Sequence, residues 1–243
     1  MEKKYEFADE TKTLEDGTVL HRIKALRSFG DVKAGDLGGF IEKEINLSHE
    51  GDCWIYGNAK VYGHAYVCDN ASIRNDAKIY GHANVSGNAF VGNDAIICDN
   101  AYVYGDTYVF GNAYVYDDAS VHDNAHVYDH AKVHGNAKVF GDAYVYSDAN
   151  VFGNTYVHSV AIICDNANIS KTSDYMVIGP IGSRNAYTTF YKTDNNTIYV
   201  RCGCFNASID KFKTRVQEVH GNNKHAINYN KAIDLAKTMI NDE

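Results

Sequence analysis

Eleven histidines, six cysteines and a glycine-flanked arginine are the residues of this 243-residue chain best equipped to act on another molecule. Histidine moves protons near neutral pH. His64, His82, His122, His126, His130, His134 and His158 all fall within one stretch of about a hundred residues. Cys53, Cys68, Cys98, Cys164, Cys202 and Cys204 are too scattered for the dense disulfide framework of a small secreted domain. Cys202-Gly203-Cys204 is too lean for zinc, which normally takes four ligands, so its two thiols read as small buried hydrophobes on one strand face. Gly182-Ser183-Arg184 is different. With Thr188, Thr189, Lys192 and Arg201 nearby, it supplies hydroxyls, a permissive backbone and forked guanidinium donors, a set suited to phosphate or carboxylate. No catalytic residue, metal site or resident cofactor is expected.

The elements that must position these groups follow from a repeat. Stepping by six from Ile55 to Ile169, all twenty residues are Val or Ile. Stepping by six from Ala59 to Ala167, seventeen of nineteen are Ala, with Thr107 and Thr155 as the exceptions. The unit is A-x-V-x followed by two turn residues. Alternate residues of a strand share a face, so Ala and Val point one way and the two x residues the other. β-Branched residues suit a buried pleated surface, and Gly, Asn and Asp accept the left-handed backbone of a tight corner. A helix cannot account for a strict period of six.

These hexads resemble those of left-handed β-helix acyltransferases, in which three hexads make one triangular coil. The resemblance implies a mainly β fold with 18 residues per coil, homotrimeric assembly, and an acyl-CoA-dependent activity as the alternative function. Family enzymes use a histidine, often supported by a loop leaving the coil. No loop interrupts 55–169 and no local motif marks a histidine, so no catalytic residue carries over. His64, His82 and His130 fall in turns; His122, His126, His134 and His158 take outward positions and read as solvated substitutions. At the front, 31–40 with Leu47-Ser48 and Gly51–Tyr56 is similar to the N-terminus of the uncharacterised YdcK-like bacterial proteins and of proteins encoded in phages and prophages.

Three segments are expected: a cap over 1–50, with 19–49 as an irregular coil; the β-helix over 51–170; and a small α+β domain over 171–243. In the last, 176–181, 186–192 and 197–205 alternate like strands, with Ile198, Val200, Cys202 and Cys204 on one face. Ser208 resembles an N-cap for a helix to about His220, with Ile209, Phe212, Val216 and Val219 as its apolar stripe. A second helix over 224–240 has Ile227, Ile233, Leu235, Ala236 and Ile240 as core candidates. The Gly-Ser-Arg turn, the Cys-Gly-Cys-Phe strand and the helix ending in His220-Gly221 resemble tails of phage and prophage proteins.

Charge and surface pattern bound the function. The formal net charge of −8 is distributed as −3 over 1–50, −8 over 51–170 and +3 over 171–243. An acidic repeat repels nucleic-acid backbones. The charged stretch 1–16 does not look like a signal peptide, and no apolar run suggests a membrane span, so a cytoplasmic protein with reduced thiols is expected. One outward face carries a stripe through Phe90, Tyr108, Phe110, Tyr128, Tyr144, Tyr146 and Ile162, large enough to predict burial between subunits or beneath the tail. The expected function is a non-enzymatic, phage- or prophage-associated scaffold that binds a small anionic, nucleotide-like ligand or a host protein, with defence evasion as the role that the phage resemblance suggests.

Overall fold

The structure, a computed structural model, describes residues 2–241. Twenty two-residue strands, β4 (Trp54–Ile55) to β23 (Asn168–Ile169), recur every six residues. Each pairs in parallel with the strand 18 residues away, which wraps the chain into a three-faced solenoid of about seven coils. All twenty Val and Ile of the repeat have no exposed surface, and the Ala row is equally buried. Burying each Val or Ile contributes about 1.5–3 kcal/mol before chain entropy is counted.

The corners explain the rest of the unit. The first turn residue has positive φ at every hexad from Gly57 to Asp165. Gly87 shows why glycine is frequent there: a Cβ would lie 2.7 Å from the Gly105 backbone nitrogen of the next coil. Where Asp takes the slot before the last coil, its carboxylate accepts a backbone N–H one coil on, as Asp117 does from Gly135 at 3.0 Å.

The front cap is more regular than the sequence suggests. Antiparallel strands β1 (Tyr5–Thr13), β2 (Val19–Ala25) and β3 (Leu37–Ile41) extend one solenoid face into a ten-stranded sheet. Trp54, Tyr5 and Phe29 plug the axis. The fully buried Lys4 ammonium donates to the carbonyls of Glu50, Gly51 and Cys53, pinning the N-terminal strand to the first coil.

The tail folds as a four-stranded antiparallel sheet, β24 (Tyr175–Ile181), β25 (Ala186–Lys192), β26 (Ile198–Cys202) and β27 (Phe205–Ser208), followed by α1 (Ile209–His220) and α2 (Lys224–Asn241). The strand expected over 197–205 ends at Cys202. Gly203-Cys204 form a tight turn, and the chain returns as β27. Cys204 is therefore exposed and does not share the buried face of Ile198 and Val200. Val219, Ile227 and Leu235 are about half exposed, because the sheet covers only one side of the helix pair. No helix among the described residues is long and apolar enough to cross a membrane.

One face of the tail sheet seals the end of the solenoid. Thr189 Oγ1 accepts the Ile162 N–H at 3.1 Å, and the Tyr191 hydroxyl lies 3.2 Å from Cys164 Sγ. Asn206 donates to Asp165 at 2.6 Å, and the Tyr175 hydroxyl accepts the His158 N–H. These tail residues satisfy polar groups of the last coil that another coil would otherwise engage.

Candidate functional site

Strand alternation sorts the expected anion-binding residues onto two sides of the tail sheet. Thr189 and Arg201 are cross-strand partners, and Thr189 faces the solenoid. Arg201 faces the same way, and its positive charge acts on Tyr128, Tyr146 and Cys164 of the solenoid. Its Nε is buried without a hydrogen-bond partner. Thr188 and Cys202 form the adjacent pair and face the helices, with Thr188 donating to Cys202 Sγ at 3.3 Å. Thr188 and Thr189 are both buried. Their hydroxyls are engaged within the fold; Thr189 and Arg201 are neighbours as expected, but on the solenoid side, so Arg184 does not join them. Lys192 is half-buried at the far end of β25, while Ser183 and Arg184 are exposed in the β24–β25 turn.

The helix side instead joins motifs that lie far apart in sequence. Tyr229 of α2 is its centre. A Cβ at Gly182 would overlap the Tyr229 hydroxyl, and Gly182 has φ +74°, so glycine is required there on both counts. Cys202 Sγ lies 3.6 Å from the Tyr229 hydroxyl, and the Arg184 guanidinium reaches to 3.9 Å of the Cβ position of Gly203. The His220 ring stacks on Tyr229 at 5.8 Å, with His225 5.6 Å beyond. Burial, with the Cys202 contact, pushes the Tyr229 hydroxyl up, so it stays protonated and can donate. The Gly-Ser-Arg turn, the Cys-Gly-Cys turn and the His-Gly helix end thus meet at one edge of the tail. Tyr229 is the functional candidate that sequence reasoning missed. Its only signal was a place on the buried face of α2.

The solenoid histidines have a structural role that the repeat alone did not reveal. Equivalent rings in successive coils stack: Tyr104, His122, Phe140 and His158 form one column, and Tyr116, His134 and Phe152 another. His122, His126, His134 and His158 are half-buried members of such columns, not freely solvated substitutions. The stripe follows the same rule, as Phe90–Tyr108–His126–Tyr144 and Phe110–Tyr128–Tyr146. Its upper end, Tyr146 and Ile162, packs into the core that Tyr191 caps. Lower down, Tyr108 and Tyr144 remain 45% and 39% exposed. Among the described residues no group of three or more His, Cys, Asp or Glu is placed to hold a metal ion.

No family model matches the chain. A 79-residue stretch is 40% identical to the "Uncharacterized acetyltransferase YdcK" of Escherichia coli (strain K12), covering 29% of this chain and 24% of that protein. The chain therefore spans about a quarter of the length of this curated relative. The match and the stacked coils together fit a hexapeptide-repeat β-helix.

Proposed function

We propose that this chain is a non-enzymatic scaffold whose rigid solenoid presents the tail to a small anionic ligand, with a nucleotide phosphate as the expected form. The observation that carries the reading is the meeting of three separate motifs around Tyr229, with Arg184 exposed and without an ion pair among the described residues. Arg184 supplies the forked donor, Ser183 a hydroxyl, and the glycine turns close backbone approach. The tail's positive balance favours an anion there over the acidic repeat. Assembly as a homotrimer through the open part of the stripe, from Phe90 to Tyr144, belongs to the same reading, as does a phage- or prophage-associated role in defence evasion. Titration calorimetry with AMP and with inorganic pyrophosphate tests it. Binding that Arg184→Ala abolishes supports the site. No heat with either probe, or heat unchanged in that variant, overturns it.

A second reading, a hexapeptide-class acyltransferase using acyl-CoA, is favoured by the name of the partial relative and by one side-chain array. His134 Nε2 lies 3.0 Å from Asn150 Oδ1, and its Nδ1 lies 3.7 Å from Asp117 Oδ2. Catalysis also needs an acyl-donor pocket beside such a base; the concavity that His134 borders is formed by the overhanging tail, and the uninterrupted hexads add no loop to enclose a long acyl donor. Acetyl-CoA turnover that disappears in His134→Ala would establish this reading instead.

A further inference from the structure

A concavity lies away from Arg184, where the tail overhangs the last coils. It is a groove of about 600 Å³ lined by Tyr116, Lys132, His134, Asn150, Asn168 and Asp194, among others. It forms because two trends coincide. Along this face the outward residue of successive coils runs Lys78, Ile96, Tyr114, Lys132, Asn150, Asn168, so the floor drops toward the end of the solenoid. Over that lowered floor the β25–β26 turn descends. The Asp194 N–H donates to the Asn166 carbonyl at 3.0 Å, and Asn166 Nδ2 donates to the Asp194 carboxylate at 3.3 Å. A second concavity of about 420 Å³ shares Asp148, Asn166 and Asp194 and continues past Tyr199.

The lining is ordered and only partly engaged. His134 Nε2 donates to Asn150 Oδ1, and Asn150 Nδ2 donates to Asn168 Oδ1 at 3.3 Å, which fixes the orientation of both amides. The Asn168 amide nitrogen, the Lys132 ammonium and the Tyr116 hydroxyl have no hydrogen-bond or ion-pair partner among the described residues. Free donors and the carboxylates of Asp148 and Asp194 therefore share one lining. Asp148 and Asp194 oppose an anion, and Lys132 opposes a simple cation. Two of the three rings in the lining, Tyr116 and His134, are already stacked within the Tyr116–His134–Phe152 column, which leaves little ring face for a flat aromatic ligand. A ligand whose groups each donate and accept, and which carries no net charge, matches what is left.

We propose that this groove binds a neutral saccharide, its hydroxyls shared among Lys132, Asn168, Asp148 and Asp194. The site is independent of the anion site at Arg184. Saturation-transfer NMR on the full chain, using glucose, galactose, N-acetylglucosamine and cellobiose as probes, tests it. The expected result is transfer to at least one probe that is lost in Asn168→Trp, which refills the floor much as Tyr114 does three coils earlier. Asp194→Ala, an exposed change that leaves the floor intact, should weaken it. Arg184→Ala should leave it unchanged, so failure of one site remains distinguishable from failure of the other. No transfer to any of the four sugars, or transfer that survives both groove variants, overturns the proposal.

Discussion

The solenoid and the tail both rest on β-strands, but they place chemistry in opposite ways. In the solenoid every side chain meets its own equivalent one coil away. Valines stack on valines, rings on rings, and corner carboxylates reach the next corner's backbone. Such a structure extends a surface and makes each position resemble its neighbours. In the tail, residues from the β24–β25 turn, the β26–β27 turn and both helices converge on Tyr229. Repetition supplies stiffness and length, whereas convergence supplies a distinct local environment. The candidate groove arises only where the two meet, because the repeat alone builds no overhang.

The comparison breaks most decisively in the axis of the solenoid. Val115 is fully buried among equivalent residues of the coils on either side. Val115→Asp places a carboxylate where neither water nor a partner reaches it, and should cost several kcal/mol. Because each coil is held by its neighbours, the damage should spread over several coils. Circular dichroism should show a large loss of β signal or a sharply lower Tm. A variant that melts like the parent would remove the inward assignment.

The open stripe gives the next largest effect. Tyr108 and Tyr144 sit in one ring column and are among its most exposed members. If three copies bury this face, Tyr108→Lys with Tyr144→Lys should reduce the sedimenting mass from trimer to monomer. The melting of each coil should change little, since both positions point outward. A wild-type protein that sediments as a monomer would refute the trimer and leave the stripe as a ladder within one chain.

How much of this was legible in the sequence follows the same division. The Val and Ile rows, the Ala row and the corner residues announce the coils because one interaction is written twenty times. Each part of the tail was also visible, since alternation and turn residues mark β24, β25 and both helices. Its assembly was not. Thr189 and Arg201 read as a free polar pair because strand alternation says which residues share a side without saying what covers that side. Only docking against Ile162 and Cys164 decides this. The short return strand β27 was hidden because Gly203-Cys204 continued an alternating pattern. The histidine columns escaped notice because stacking depends on a partner 18 residues away, beyond the range of local reasoning.

The joint itself offers a smaller test. Thr189→Val removes the acceptor of the Ile162 N–H and leaves a buried donor unsatisfied, a loss of about 1–3 kcal/mol. The change should appear as faster hydrogen exchange at the tail-facing coil, with the inner coils unaffected. Equal acceleration along the whole solenoid would show that the tail seals more than its end.

The smallest effect expected is a dependence on pH that resides in the ring columns. His126 stacks between Tyr108 and Tyr144, and burial holds its imidazole below the ordinary histidine range. The folded chain therefore takes up a proton at this ring less readily than the unfolded chain does. As pH falls below about 6.5, the unfolded value, the unfolded state binds more protons and stability declines. The decline ends once pH is below the folded value, where both states are protonated. Above about 6.5 both states are neutral and the ring contributes no pH dependence. His126→Phe keeps a ring in the column and removes the titrating group. Comparing the melting temperatures of parent and variant between neutral and mildly acidic pH isolates the contribution. The parent should lose slightly more stability on acidification than His126→Phe does. Identical curves would mean that the column accommodates imidazolium as readily as imidazole, and that its stacking does not discriminate charge.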